Sequence, residues 1–157
     1  MGRKNNVTRF LDAKGIPYQV HVIPKEKLSA LQVAQILEFP PGKVFKSIVL
    51  EAENDKKGLL AVIPADSEVS VKKVARLAGV KKVKVATLIN AEEKTGLQAG
   101  GISPLALINK RFSVFLDASA NLQKSIVISA GERGLQIEIA PGDLIGVTSA
   151  CYGNLCV

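Results

Sequence analysis

The chain has 157 residues, 47% of them apolar and 22% charged, an ordinary globular balance that excludes a disordered tail and allows one sizeable core. No apolar run reaches the roughly 18 residues needed to span a bilayer, and the basic stretch Met1 to Asn6 has no apolar segment behind it, so no secretory leader is read and the chain is expected in the cytoplasm. Lys and Arg number 21 against 14 Asp and Glu, a net charge of +7 that points to a polyanion such as a phosphate backbone, whereas 4% aromatics and no Trp argue against a base-stacking platform.

Val7, Phe10 and Leu11 recur at helical spacing, with Asn5 or Asn6 as the cap and Gly15 as the stop. Tyr18 to Ile23 reads as a strand. Ser29 opens a second helix with Gln32 at the capping-box position. Its expected apolar face is Leu31, Ala34 and Leu37, with Val33 and Ile36 beside it, and Pro40-Pro41-Gly42 ends it. Val44 to Ala52 and Leu59 to Ile63 read as paired strands around the turn Asn54 to Gly58. Ser70 caps a third helix, Val71 to Ala78, stopped by Gly79. Val83 to Ala86 is a short strand. Asn90, with Glu93, predicts the start of a fourth helix, and Leu97 to Pro104 is a loop. Phe112 to Leu116 is a strand. Ser125 to Ser129 and Leu135 to Ile139 form a hairpin around Gly131 and Gly134, and a last helix starts near Pro141. This pattern predicts one α+β or mixed α/β domain over residues 1–157, with a mixed, mostly antiparallel sheet flanked by helices.

The motifs of dinucleotide, P-loop, zincin and serine-hydrolase sites are absent. With one histidine, His21, read as a structural strand residue, no common triad can be assembled. Cys151 and Cys156 carry no ligand cluster with them, so neither a metal nor a cofactor is expected, and the pair reads as two thiols near a frayed end.

Three features could carry chemistry. Lys46 lies in Val44-Phe45-Lys46-Ser47-Ile48-Val49-Leu50, a strand apolar on both faces. A lysine there either reaches a cleft, partner or ligand, or snorkels to solvent. Gly100-Gly101-Ile102-Ser103-Pro104 is either a plain turn or a loop whose free backbone amides hold a carbonyl or hydroxyl. From Val69 to Ala91 there is no acidic residue, yet Lys72, Lys73, Arg76, Lys81, Lys82 and Lys84 fall within it. With Val71, Val74, Ala75 and Ala78 inward, Lys72, Lys73 and Arg76 form an outward face, either solvated or set against phosphates. Ser129 and Arg133 flank the hairpin as further polar candidates.

Phe45 to Leu50, then Lys94 to Leu105, then Ile128 to Glu138 together resemble the YbaK/EbsC family, whose known members include free-standing Cys-tRNA(Pro) deacylases similar to the editing domain of bacterial prolyl-tRNA synthetases. The resemblance runs from about Val7 to Val147. It implies a mixed sheet with flanking helices and hydrolysis of the ester joining a wrong amino acid to tRNA(Pro), with prolyl-tRNA synthetase as a candidate partner. It places Lys46 in the pocket beside Ser47, positioning the aminoacylated adenosine. It gives the Gly100 and Gly101 amides a catalytic orienting role, with Ile102, Ser103, Pro104, Ser129 and Arg133 binding substrate. The substrate's own thiol would attack the ester.

The chain departs from that pattern at Ile23, where a tyrosine is often found, at Gln136, where some members are acidic, and at Ala106, where a glycine often follows Pro-Leu. All three are expected to line or border the pocket, and they bear on which amino acid is removed. Alternative expectations are a deacylase of Ala-tRNA(Pro) type that uses a bound water, and a non-catalytic tRNA-binding or regulatory module.

Overall fold

The computed structural model describes residues 3–53 and 58–157, so the expected turn over 54–57 lies outside the described residues. Helix α1 (Asn6–Ala13) begins where Asn5 accepts the Thr8 amide and the Thr8 hydroxyl accepts the Asn5 amide. Ser29 and Gln32 make the same reciprocal pair at the start of α2 (Ala30–Leu37). Helix α3 spans Val71–Ala78, capped by Ser70 and ended at Gly79, whose φ of +70° suits glycine. Helix α4 (Leu88–Thr95) starts earlier than the Asn90 cap predicts: Thr87 accepts the Asn90 amide and is itself the cap. Pro141 lies in the first turn of α5 (Pro141–Thr148).

The strands divide over two sheets rather than one. Strands β1 (Gln19–Val22), β7 (Leu135–Ile139) and β6 (Ile126–Ser129) form an antiparallel sheet with β7 central. The second runs in the order β4 (Val83–Val85), β2 (Phe45–Ala52), β3 (Gly58–Pro64), β5 (Phe112–Asp117), β8 (Cys151–Gly153). In it β2 pairs antiparallel with β3 and β4, whereas β3–β5 and β5–β8 are parallel. A bridge between Val44 and Val127 joins the two sheets at the start of β2.

Every residue of β3 is buried, as a strand covered on both faces requires. Leu60 and Val62 face a core built from α1, α4, α5 and the smaller sheet, while Leu59, Ala61 and Ile63 face α3 through Val74 and Ala75. A third cluster seats α2 through Val33 and Ala34 on Ile23, Val44, Ala65 and Val127. The buried stripe of α2 is therefore rotated from the expected one, and Leu31 is left exposed.

The C-terminal cysteines do not occupy a frayed end. Strand β8 adds to the edge of β5, Cys156 bridges Val69, and Leu155 is fully buried. The Leu155 amide donates to Asp117 at 3.0 Å, and Ser119 donates to the same carboxylate. Burial opposes the Asp117 charge, but these hydrogen bonds outweigh it and hold the carboxyl below its ordinary range. Burial and the neighbouring Asp117 push the Cys156 thiol up to about 11. No helix of the described residues is long and apolar enough to cross a membrane.

Candidate active site

A cavity of about 340 Å³ opens beside the first half of β2, within the size range of small-ligand sites. One wall is Phe45 to Val49 of β2. A second is Leu28, Ser29, Ala30 and Val33 at the start of α2. The others are Val85, Ala86, Leu88 and Ala91 around the β4–α4 connection, Ala99, Gly100 and Ile102 of the loop, and Ser129 and Gln136 of the smaller sheet. Apolar groups predominate. Among the described lining residues Lys46 alone carries a charge.

Lys46 is half-buried, and its ammonium donates to the Ala65 carbonyl at 3.1 Å. That bond uses one of three donors. Of the two readings open from sequence, the structure places this side chain in a cleft, with Ser47 as its neighbour in the wall.

The two glycines have different duties. Gly100 lines the cavity with φ +89°, a conformation a side chain adopts only with strain. Gly101 stands behind it. A Cβ there would meet the Glu132 Cα at 2.9 Å, and the Gly101 amide donates to the Gln98 carbonyl at 2.8 Å. That amide is thus committed to the turn rather than offered to a ligand, which corrects the expectation of an orienting role for it. Ser103 is fully buried and accepts the Leu105 amide, capping the 3-10 turn Pro104–Ala106. Arg133 donates through Nε to the Ala99 carbonyl at 2.8 Å. Ser103, Pro104 and Arg133 therefore support the loop, while Gly100 and Ile102 form its cavity face.

Ser129 and Gln136 are opposed across β6 and β7. The Ser129 hydroxyl accepts the Gly131 amide at 3.3 Å, and Gln136 is almost wholly buried in the wall. Of the three departures from the family pattern, Gln136 alone is in the lining. Ile23 is packed in the third core cluster, and Ala106 lies under Gly131, where a Cβ would approach it to 2.9 Å.

His21 faces Gln136 across β1 and β7 and belongs to a charged cluster beside the cavity. Its Nε2 lies 2.8 Å from Glu138, which also takes Lys43 at 2.9 Å and Ser125 at 2.5 Å. Burial disfavours the Glu138 charge, but Ser125, His21 and Lys43 together hold its carboxyl at about 2. Among the described residues no three His, Cys, Asp or Glu side chains gather as a metal site would require.

On α3, Lys72 and Arg76 are exposed, but Lys73 is half-buried, with its ammonium donating to the Cys156 carbonyl at 2.7 Å. The expected outward face of three cations is thus a face of two. The α2 and β4–α4 walls leave little mark in the sequence. The one signal for the latter was an apolar set, Val85, Leu88 and Ile89, beside basic Lys84.

Fold and cleft together define an α+β protein with a small, mainly apolar ligand pocket beside a glycine loop. The family model for the aminoacyl-tRNA editing domain matches residues 25–147. The chain is 34% identical over 155 residues to a protein of Enterococcus faecalis named "Putative Cys-tRNA(Pro)/Cys-tRNA(Cys) deacylase EbsC", spanning 98% of this chain and 93% of that one. It is also 28% identical over 111 residues to the proline–tRNA ligase of Dechloromonas aromatica, covering 69% of this chain but 19% of the ligase. A crystal structure described as "a putative trans-editing enzyme for prolyl tRNA synthetase" superposes with a TM-score of 0.79 at 23% identity over 99% of both chains. The chain belongs to the aminoacyl-tRNA editing domain family.

Proposed function

We propose that this protein deacylates mischarged tRNA(Pro), with Cys-tRNA(Pro) as its substrate. The observation that carries the mechanism is the composition of the pocket. Among the described lining residues there is no histidine and no carboxylate to act as a general base. Such a site binds, orients and polarises, and leaves the nucleophile to the substrate. The cysteinyl sulfur attacks its own ester carbonyl, forming an S–C bond in a four-membered thiolactone. The bond to the ribose oxygen breaks, and that oxygen takes the thiol proton. Water then opens the thiolactone to free cysteine, so the net reaction is ester hydrolysis with a cyclisation step inside it.

Lys46 supplies positive charge where the carbonyl oxygen becomes negative, through the donors that its bond to Ala65 leaves free. The Gly100 backbone, Ser47 and Ser129 shape the space for a small side chain. Lys72 and Arg76 lie on the outer surface as contacts for the tRNA backbone, and prolyl-tRNA synthetase is the partner that would deliver the substrate. Incubation with tRNA(Pro) charged with cysteine, alanine or proline tests this reading. Loss of cysteine with proline retained supports it. Preferred loss of alanine would favour water as the nucleophile, and no hydrolysis of any ester would leave a binding module.

A further inference from the structure

The lip of the cavity formed by the β4–α4 connection is unusual for a surface. Val85 is 50% exposed, Leu88 50% and Ile89 69%. Val85 and Leu88 also line the cavity, so this apolar surface runs continuously from inside the site onto its rim. Lys81, Lys82 and Lys84, all exposed, precede it directly; no acidic residue lies between Val69 and Ala91 in the sequence, and Glu51 of β2 is the carboxylate set opposite Lys84 across the ladder. Three large aliphatic side chains left in water beside a row of cations fit a ligand that is flat and apolar on its faces and anionic along its backbone. An unpaired nucleotide at the end of an RNA has both properties, whereas a protein partner with an apolar face would not need the cations.

Resting on the proposed deacylase reading, we infer that Val85, Leu88 and Ile89 form an aliphatic platform for the base of the 3′-terminal nucleotide, with Lys84 meeting its phosphate. Nucleobases pack on aliphatic as well as aromatic side chains when lifted out of a stack. The platform explains how a chain without Trp can hold a nucleotide end. It also fixes the direction of entry: the terminal base rests outside on the lip while the aminoacyl group enters the cavity past Val85.

The test uses the full chain and an acceptor-stem minihelix of tRNA(Pro) with 2-aminopurine in place of the terminal adenine, together with the same minihelix lacking its last nucleotide. The Leu88→Ser/Ile89→Ser double variant alters only exposed side chains, and circular dichroism checks its fold. The platform predicts a fluorescence change on binding wild type and about tenfold weaker binding by the variant. It also predicts equal affinity of both proteins for the shortened minihelix. Equal affinity of the two proteins for the complete minihelix, or a variant defect that persists on the shortened one, overturns the platform. Deacylation of Cys-tRNA(Pro) by the same wild-type preparation reports separately on the reaction, so a platform that binds without catalysis is distinguished from a catalyst without a platform.

Discussion

The Nε of Arg133 donates to the carbonyl of Ala99 at 2.8 Å, tying the β6–β7 hairpin to the loop that presents Gly100. Arg133 does not line the cavity, so on the proposed reading its part is to position the loop. Replacing it with Ala is expected to lower the deacylation rate constant about tenfold with little change in KM. Arg133→Lys, which can still reach a carbonyl, should recover part of the loss. Single-turnover kinetics on Cys-tRNA(Pro) would show it, and an undiminished Arg133→Ala rate would mean the loop is held by other contacts.

Lys46 has the opposite profile. Its ammonium has one bond within the described protein, to the Ala65 carbonyl, so its removal costs the fold about 1–2 kcal/mol. On the proposed reading the reaction loses the only charge in the described lining. Lys46→Ala is expected to retain a cooperative melt within a few degrees of wild type and to lose about 100-fold or more in rate. Near-normal turnover by a folded Lys46→Ala protein would remove this residue from the mechanism.

The two exposed cations of α3 should act through salt dependence. Lys72→Ala combined with Arg76→Ala is expected to reduce the slope of log affinity for tRNA against log salt by about 1–2. Lys73→Ala should add little to that slope because its ammonium is turned to the Cys156 carbonyl. Binding titrations across a range of salt concentrations would separate the three residues.

Glu138 sets an acid limit. Its carboxyl is held at about 2 against an ordinary 4.5. A lowered value means that its contribution is complete above the unfolded value of 4.5 and fades as pH falls through about 2. The shift corresponds to at most about 3 kcal/mol. Urea unfolding of Glu138→Gln should show a loss of up to that size at pH 7, and the gap to wild type should close towards pH 2. A gap independent of pH would assign the loss to packing instead.

Local chemistry made much of this fold legible. Ser29 with Gln32, Ser70 with Gly79, and the glycine-bearing hairpin each satisfy their own backbone groups within a few residues, so their signals survive in a sequence. The start of α4 was less so, because Thr87 and Asn90 are both competent caps and local sequence does not choose between them. Strand β8 has three residues, one of them glycine, and exists because β5 offers an unpaired edge. No periodicity could announce it. In the site, Lys46 was visible as a charge in an apolar strand. The division of labour between Gly100 and Gly101 was not, since it depends on the Glu132 backbone, which is distant in sequence and close in space.

On the proposed reading, a cavity wall with no histidine or carboxylate among its described residues has a bearing on safety as well as on rate. An editing site that carried its own activated nucleophile would threaten every ester that entered it, and would have to exclude the correct product by size alone. A prolyl group brings no thiol. If it enters this pocket, it meets Lys46 but, among the described lining residues, no histidine or carboxylate to activate an attacking group, and it can leave intact. Discrimination then lies in the reactivity of the cargo, and an error of binding need not become an error of destruction.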